Sequence, residues 1–362
     1  MTIIIFIAVL SLLIFVHEFG HFIVAKKSGI KIEEFALGFP PRLISKKIGE
    51  TIYSLNAIPI GGFVRLYGED SAVTKNRNRS FYYKGKGVRA LVSIAGVLAN
   101  FLLGVLAFGI VFWAQGIPQT TDKIQVNAIA ENSPAQQVGL AEGDEILKVN
   151  NEKVDQVQKF ISIVDQNKGK EILLTVKRDS QEFEIRVVPR IDPPKHEGPL
   201  GVAVSDMILA QPPFWQRPFV SFWYGFSEAT TWVGNTVLGF WSMITGAIRG
   251  EAPSGVTGPI GIFQVTSAFA KLGILPLLTF IAILSINLAV LNIVPFPALD
   301  GGRLLFIVAE TLFGKRILPS FEKVIHIAGL IILLTLIFLV TIQDIRRLVG
   351  GGSPFLLESP KP

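Results

Sequence analysis

The chain has 362 residues, half of them hydrophobic and only 17% charged, with 34 Lys and Arg against 28 Asp and Glu for a net charge of +6. A mean hydropathy of +0.50 excludes an ordinary water-soluble enzyme, and the same composition excludes a disordered or collagen-like chain. With no cysteine at all, disulfide scaffolds, Cys-ligated zinc sites and thiol nucleophiles are excluded too.

Four stretches, residues 2–25, 88–113, 275–294 and 325–342, supply the roughly 17–25 apolar residues that a bilayer crossing needs. No Lys or Arg precedes Lys26, and the first stretch is too long for a signal-peptide core. It therefore reads as a retained transmembrane helix. Residues 26–89 hold 13 Lys and Arg against 5 Asp and Glu, and the loop after the third span carries Arg303, Lys315, Arg316 and Lys323. The positive-inside rule makes both loops cytoplasmic and places the N-terminus, residues 115–274, Arg346 and Arg347 outside. The basic excess is thus mostly topological and argues against a nucleic-acid partner.

Between the second and third spans the character changes. Residues 122–190 contain short alternating runs at 124–126, 145–149, 172–176 and 183–187, which read as strands. Ser133 followed by Pro134 reads as a helix start, and a second helix is expected over 157–167. This is a small α+β domain, followed by a Pro-rich linker over 192–199. Residues 214–248 are rich in Phe and Trp but include Glu228, Thr230, Thr231 and Asn235. They form either a fifth span or an amphipathic helix lying flat in the outer interface. The flat reading is favoured, because a fifth span would reverse the direction of the next helix.

His17-Glu18-Phe19-Gly20-His21 places two imidazoles one helical turn apart, on one face, with a carboxylate between them. That spacing suits a metal held by both histidines, with Glu18 addressing a coordinated water. Ionisable groups in an apolar span are costly and default to function. A catalytic zinc takes three protein ligands plus water. The residues leave the third open among His196, His326, Glu33, Glu34 and Asp300. Asp300 is the distinctive one, in Asn292-Ile-Val-Pro295-Phe-Pro297-Ala-Leu-Asp300-Gly301-Gly302. There two prolines break a helix at membrane depth, which is tolerable only against a protein-lined or wet cavity.

The helical His-Glu-x-x-His run and the Asn-x-x-Pro-x-Pro-x-Leu-Asp-Gly run together resemble the site-2 protease family of intramembrane zinc metalloproteases, most closely its regulator-of-sigma-E type. Supporting matches are residues 59–64, Ala95-Gly96 with Asn100-Phe101, and residues 258–262. Ser133-Pro134-Ala135 through Gly139-Leu140, Gly143-Asp144 and Val149-Asn150 resembles PDZ domains of bacterial envelope proteases. PDZ domains bind extended peptides by strand addition, and residues 198–202 are the candidate carboxylate loop. Val97 stands where the family has Pro, and one PDZ domain is visible where proteobacterial members have two.

The resemblance implies zinc held by His17, His21 and Asp300, with Glu18 as general base. It implies substrate contacts from Asn292 and from a β-hairpin over residues 59–70 that includes Gly61, Gly62, Phe63 and Val64. Asn292 also reads as an interhelical hydrogen-bonding residue, and Asn100 and Asn287 read as packing residues. The expected fold is a polytopic α-helical membrane protein of four transmembrane helices, with a membrane-associated β-hairpin and one inserted α+β PDZ domain. Its parts are helix 1 over 1–25, a cytoplasmic loop over 26–87, helix 2 over 88–116, the PDZ domain over 117–203, an amphipathic region over 204–274, helix 3 over 275–302, and helix 4 with a tail over 303–362.

The expected activity is cleavage of single-pass membrane proteins, of the anti-sigma-factor or signal-peptide-remnant kind, in the bacterial inner membrane. The PDZ domain would lie outside, able to take a peptide ligand, and the metal site toward the cytoplasm. The rival readings are a membrane PDZ adaptor with a structural or vestigial metal site, and a His-Glu-x-x-His protease with a downstream Glu ligand.

Overall fold

The computed structural model describes residues 2–69, 75–179, 181–194, 197–249 and 258–349. His196, Asp70 and the C-terminal tail beyond Val349 lie outside the described residues. In chain order the elements are α1 (Thr2–Lys27), β1 (Ile32–Ile48), β2 (Thr51–Leu66), α2 (Lys86–Gln115), β3 (Ile117–Ile129), α3 (Pro134–Gln137), β4 (Glu145–Val149) and β5 (Glu152–Lys153). There follow α4 (Val157–Gln166), β6 (Ile172–Arg178), β7 (Gln181–Val187), β8 (Val202–Ala210), α5 (Arg217–Ile248), α6 (Pro259–Leu272), α7 (Ile274–Ile293), α8 (Asp300–Phe313) and α9 (Pro319–Val349). They divide into two compact units, one of residues 1–112 with 218–362 and one of residues 113–217.

In the first unit, α1, α2, α7 and residues 319–346 of α9 are long and apolar enough to cross a membrane, matching the four expected spans. His17 and His21 of α1 meet Asn100 and Val92 of α2, so these helices are antiparallel. Ser285 Oγ of α7 donates to the Asn100 carbonyl, and Gly104 abuts Ala282 and Ile286, so α7 is also antiparallel to α2. It follows that α1 and α7 run in the same direction, and both bring their last turns to the same end of the bundle.

Helix α5 departs from the favoured reading. It packs lengthwise along α2 and α7: Tyr224 meets Phe112 and Phe226 meets Phe101, both edge to face, and Thr236 Oγ1 donates to Asn287 Oδ1 at 2.7 Å. A helix lying flat across the end of the bundle would touch its neighbours at one level only. The close approach rests on glycine: a Cβ on Gly225 would stand 2.7 Å from the Gly109 nitrogen and the Val105 oxygen. Small residues let backbones meet in this way where lipid gives no hydrophobic drive. Beyond Thr236, Leu238, Trp241 and Ile248 are exposed. Residues 250–257, between α5 and α6, lie outside the described residues.

The expected hairpin over residues 59–70 is also corrected. The hairpin turns at Gly49 and Glu50, between β1 and β2, with Ile48 paired to Thr51. Both long strands then fold over. Residues 32–37 pair with 62–66 on one side and with 52–55 on the other, and 42–48 pair with 51–56. The result is a mixed sheet of four segments, parallel between 32–37 and 52–55 and antiparallel at the other two pairings, in which 62–66 form one edge. Pro40 and Pro41 cannot donate to a ladder, and the turn falls there. Buried Glu34 holds the segments together through Arg42 (2.6 Å), Ser54 (2.7 Å) and Arg65 (3.5 Å). Phe22 of α1 packs against Phe35 and Tyr53, fixing this sheet on the helix that carries both histidines.

The second unit is an antiparallel sheet in the order β7-β6-β4-β3-β8, with β5 beside β4. All four short strands read from the sequence are present. Ser133 caps α3, its Oγ accepting from Gln136 N–H with Pro134 in the first turn. The core includes Ile124, Ile146, Phe160, Leu174 and Leu200. Buried Asp144 receives a two-pronged hydrogen bond from Arg178 (2.6 and 2.7 Å) and another from Ala141 N–H (2.8 Å).

Candidate metal centre

His17 Nε2, His21 Nε2 and Asp300 Oδ2 converge at one point. The separations are 3.3 Å between the imidazoles, 3.0 Å from Asp300 to His17 and 3.1 Å from Asp300 to His21. Zinc bonds of 2.0–2.2 Å in a tetrahedron place donors about 3.3 Å apart, so the residues fit this ion. Among the described residues this is the one cluster of three such groups positioned to hold a metal. The other candidates for third ligand do not reach it: Glu34 is held in the sheet, and His326 is engaged with Ala298.

Local structure dictates the meeting. The i, i+4 spacing sets the two rings edge to face on one side of α1, with centroids 4.8 Å apart. Gly96 gives them room on α2, since a Cβ there would lie 2.4 Å from His21 Nε2. Helix α7 ends at Ile293, and Asp300 opens α8 after the Pro295–Pro297 turn. Gly301 is required there because a Cβ would fall 2.1 Å from the Val294 oxygen.

The far ring nitrogens are also engaged. His21 Nδ1–H donates to the Val92 carbonyl at 2.7 Å, leaving the Nε2 lone pair for a metal. The buried Asn100 amide sits with its Nδ2 3.4 Å from His17 Nδ1, and its Oδ1 has no hydrogen-bond partner, so the amide is free to sit the other way round. Turned toward Nδ1–H, that oxygen holds the same tautomer. Sequence reasoning gave Asn100 a packing role and missed this contact. Asn287 does pack, against Thr236.

A cavity of about 320 Å³ opens on the three donors and is lined by Glu18, Phe63, Val64, Asn292 and Arg303 among others. Of the expected substrate contacts, Phe63, Val64 and Asn292 therefore face it. Gly61 and Gly62 do not line it. Gly62 sits behind Glu18, where a Cβ would stand 3.4 Å from Glu18 Cγ, and Gly61 lies against the Phe39 ring. Arg303, one turn beyond Asp300, pairs with Glu69 just past the edge segment. The sequence reading counted Arg303 only as a topological charge, although its i+3 spacing from Asp300 was a signal. In the second unit, a cavity of about 540 Å³ runs between β8 and the start of α4. Gly201 of the candidate carboxylate loop has φ +71 and donates to the Gly198 carbonyl.

Comparison with known proteins identifies the family. The family model for peptidase family M50 matches residues 5–336. A Clostridium acetobutylicum protein with a provisional zinc-metalloprotease name is 34% identical, over 95% of this chain and 97% of its own length. The zinc metalloprotease RasP of Oceanobacillus iheyensis and the regulator of sigma-W protease RasP of Bacillus subtilis are each 28% identical, over 96% of this chain and 99% of theirs. The solved PDZ domain of an SdrC-like protein from Listeria monocytogenes aligns with 24% of this chain and 93% of its own, at 21% identity and a TM-score of 0.22. The chain belongs to peptidase family M50, the site-2 protease family, and is a zinc metalloprotease.

Proposed function

We propose that this protein is an intramembrane endopeptidase that cuts membrane-embedded segments of single-pass proteins. The observation that carries the reading is the convergence of His17 and His21 of α1 with Asp300, which opens α8 just past the end of α7. These three side chains would hold the zinc. Bound zinc supplies Lewis acidity, which polarises the scissile carbonyl and acidifies water. Glu18, on the same cavity wall, takes the proton of the attacking water and returns it to the leaving amine. Asn292 contacts the substrate backbone from the opposite wall.

A helical substrate hides its peptide bonds in its own hydrogen bonds and must be unwound before hydrolysis. Edge segment 62–66, with Phe63 and Val64 facing the cavity, takes the unwound chain by strand addition. The loops rich in Lys and Arg favour a metal site toward the cytoplasm of the bacterial inner membrane, with the unit of residues 113–217 outside. That unit is a PDZ domain, and the β8 edge beside α4 is its peptide site. The name of the Bacillus subtilis relative favours an anti-sigma-factor type of substrate.

The test uses the whole protein in membranes. Glu18→Gln is expected to abolish cleavage while zinc stays near one per chain, and Asp300→Asn to lose the zinc. Retained cleavage by the first variant, or wild-type zinc affinity in the second, would refute the assignments. A cysteine placed at Lys168, in a chain with none of its own, is expected to react with an impermeant reagent from outside only.

A further inference from the structure

We infer that His326 is a positioning residue: as acceptor for the Ala298 N–H, and together with Gly329, it seats the turn that aims Asp300 at the metal. The inference rests on Asp300 being a ligand. Ala298 is two residues before Asp300 and has φ +79, a left-handed conformation that a residue with a Cβ adopts only when its surroundings impose it. Pro295 and Pro297 have no N–H to offer. The N–H groups of Phe296, Leu299 and Gly302 are taken by carbonyls within the turn. That of Ala298 donates instead to His326 Nδ1, 2.9 Å away on α9.

One turn further along the same face, Gly329 lets α9 close on the turn. A Cβ there would stand 2.4 Å from Pro297 Cβ and 2.5 Å from the Pro297 oxygen. The imidazole also rests against Phe306 of α8, with centroids 5.7 Å apart. Since Nδ1 accepts, the ring proton is on Nε2, which points toward Glu322 Oε1 at 3.6 Å. Helix α9 is otherwise mostly exposed. Its hold on Pro297 and Ala298 is a specific contact on a loosely packed helix, and it acts where a shift of the backbone would move the Asp300 carboxylate.

The experiment measures zinc affinity by chelator competition, and the visible spectrum of the cobalt-substituted protein, for full-length variants in detergent. His326→Leu, which removes the acceptor, is expected to weaken zinc at least tenfold and to alter the cobalt spectrum. His326→Gln, whose amide oxygen can accept the same N–H, is expected to stay within about threefold of the parent. Ala298→Gly, which relieves the backbone conformation, is expected to recover part of the loss in the His326→Leu background.

Unchanged affinity in His326→Leu overturns the inference. Equal loss in the Leu and Gln variants also overturns it, because His326 would then be a packing residue or a ligand. If His326→Leu does not accumulate folded, His326→Phe takes its place. If neither does, the Gln variant decides alone, and loss of zinc affinity there is the overturning result. Asp300→Asn, run alongside, separates the two claims: wild-type affinity in that variant refutes Asp300 as ligand, whatever His326 does.

Discussion

The buried amide of Asn100 faces His17 Nδ1 across 3.4 Å, and its own backbone carbonyl accepts from Ser285 on α7. One residue thus joins the helix of the two histidines to the helix that leads to Asp300. Partners of this kind fix the tautomer and orientation of a ligating imidazole, and their loss typically costs 10–100-fold in metal affinity. Asn100→Leu is therefore expected to weaken zinc by about that factor. Competition with a chelator measures it, and an affinity equal to the parent's would leave Asn100 a packing residue.

The sheet edge gives a different prediction. Gly62 has space for a Cβ only at 3.0 Å from the Ala36 oxygen and 3.4 Å from Glu18 Cγ. Gly62→Val should push the edge segment and Glu18 apart, lowering kcat by tenfold or more with zinc content unchanged. Parallel assays of turnover and bound metal separate this from loss of the ion.

Asp344 is a buried carboxylate near the end of α9, the kind of residue that defaults to function inside a membrane. Here it accepts from Gly258 N–H (3.3 Å) and Gly261 N–H (3.0 Å) at the start of α6, so its role is to cap that helix from outside. Asp344→Ala should cost about 1–3 kcal/mol of stability by leaving those donors unpaired. Thermal unfolding of the purified protein reads the loss, and zinc affinity is expected to stay at the parent value.

In the second unit, burial opposes ionisation of Asp144, but the Arg178 guanidinium and the Ala141 N–H outweigh it and hold the carboxyl below its ordinary value. A lowered folded-state value means the stabilisation is complete above the ordinary carboxylate pKa and is lost as pH falls through the lowered one. Amide exchange in β4 and β6 should accelerate only under strongly acidic conditions. Arg178→Leu should weaken the unit and move its acid transition to higher pH. An unchanged transition would show that the ion pair contributes nothing there.

Much of this molecule is written in local pattern. Four apolar runs, the i, i+4 histidines with Glu18 between them, the Ser133 cap and the short strands of the second unit all follow from near neighbours. Such neighbours fix periodicity and capping without help from distant parts of the chain. The hairpin was misplaced for the opposite reason. Residues 59–66 have strand character, but their partners are residues 32–37, which depend on β1 folding over at its prolines. Similarly, the polar residues of α5 suited an interface, while Gly225 against Gly109 made lengthwise packing possible.

The sequence by itself determined that the chain suits a membrane and carries two imidazoles on one helical face with Glu18 between them in sequence, because apolar run length and helix periodicity are local properties. That the Asp300 carboxylate lies beside the two imidazoles was decided only by tertiary structure. Asp300 lies 279 positions from His21 and 3.1 Å away in space. That distance exists because α7 runs alongside α1 and the proline turn is held against α9. Nothing in the local sequence around either residue specifies where the other will be.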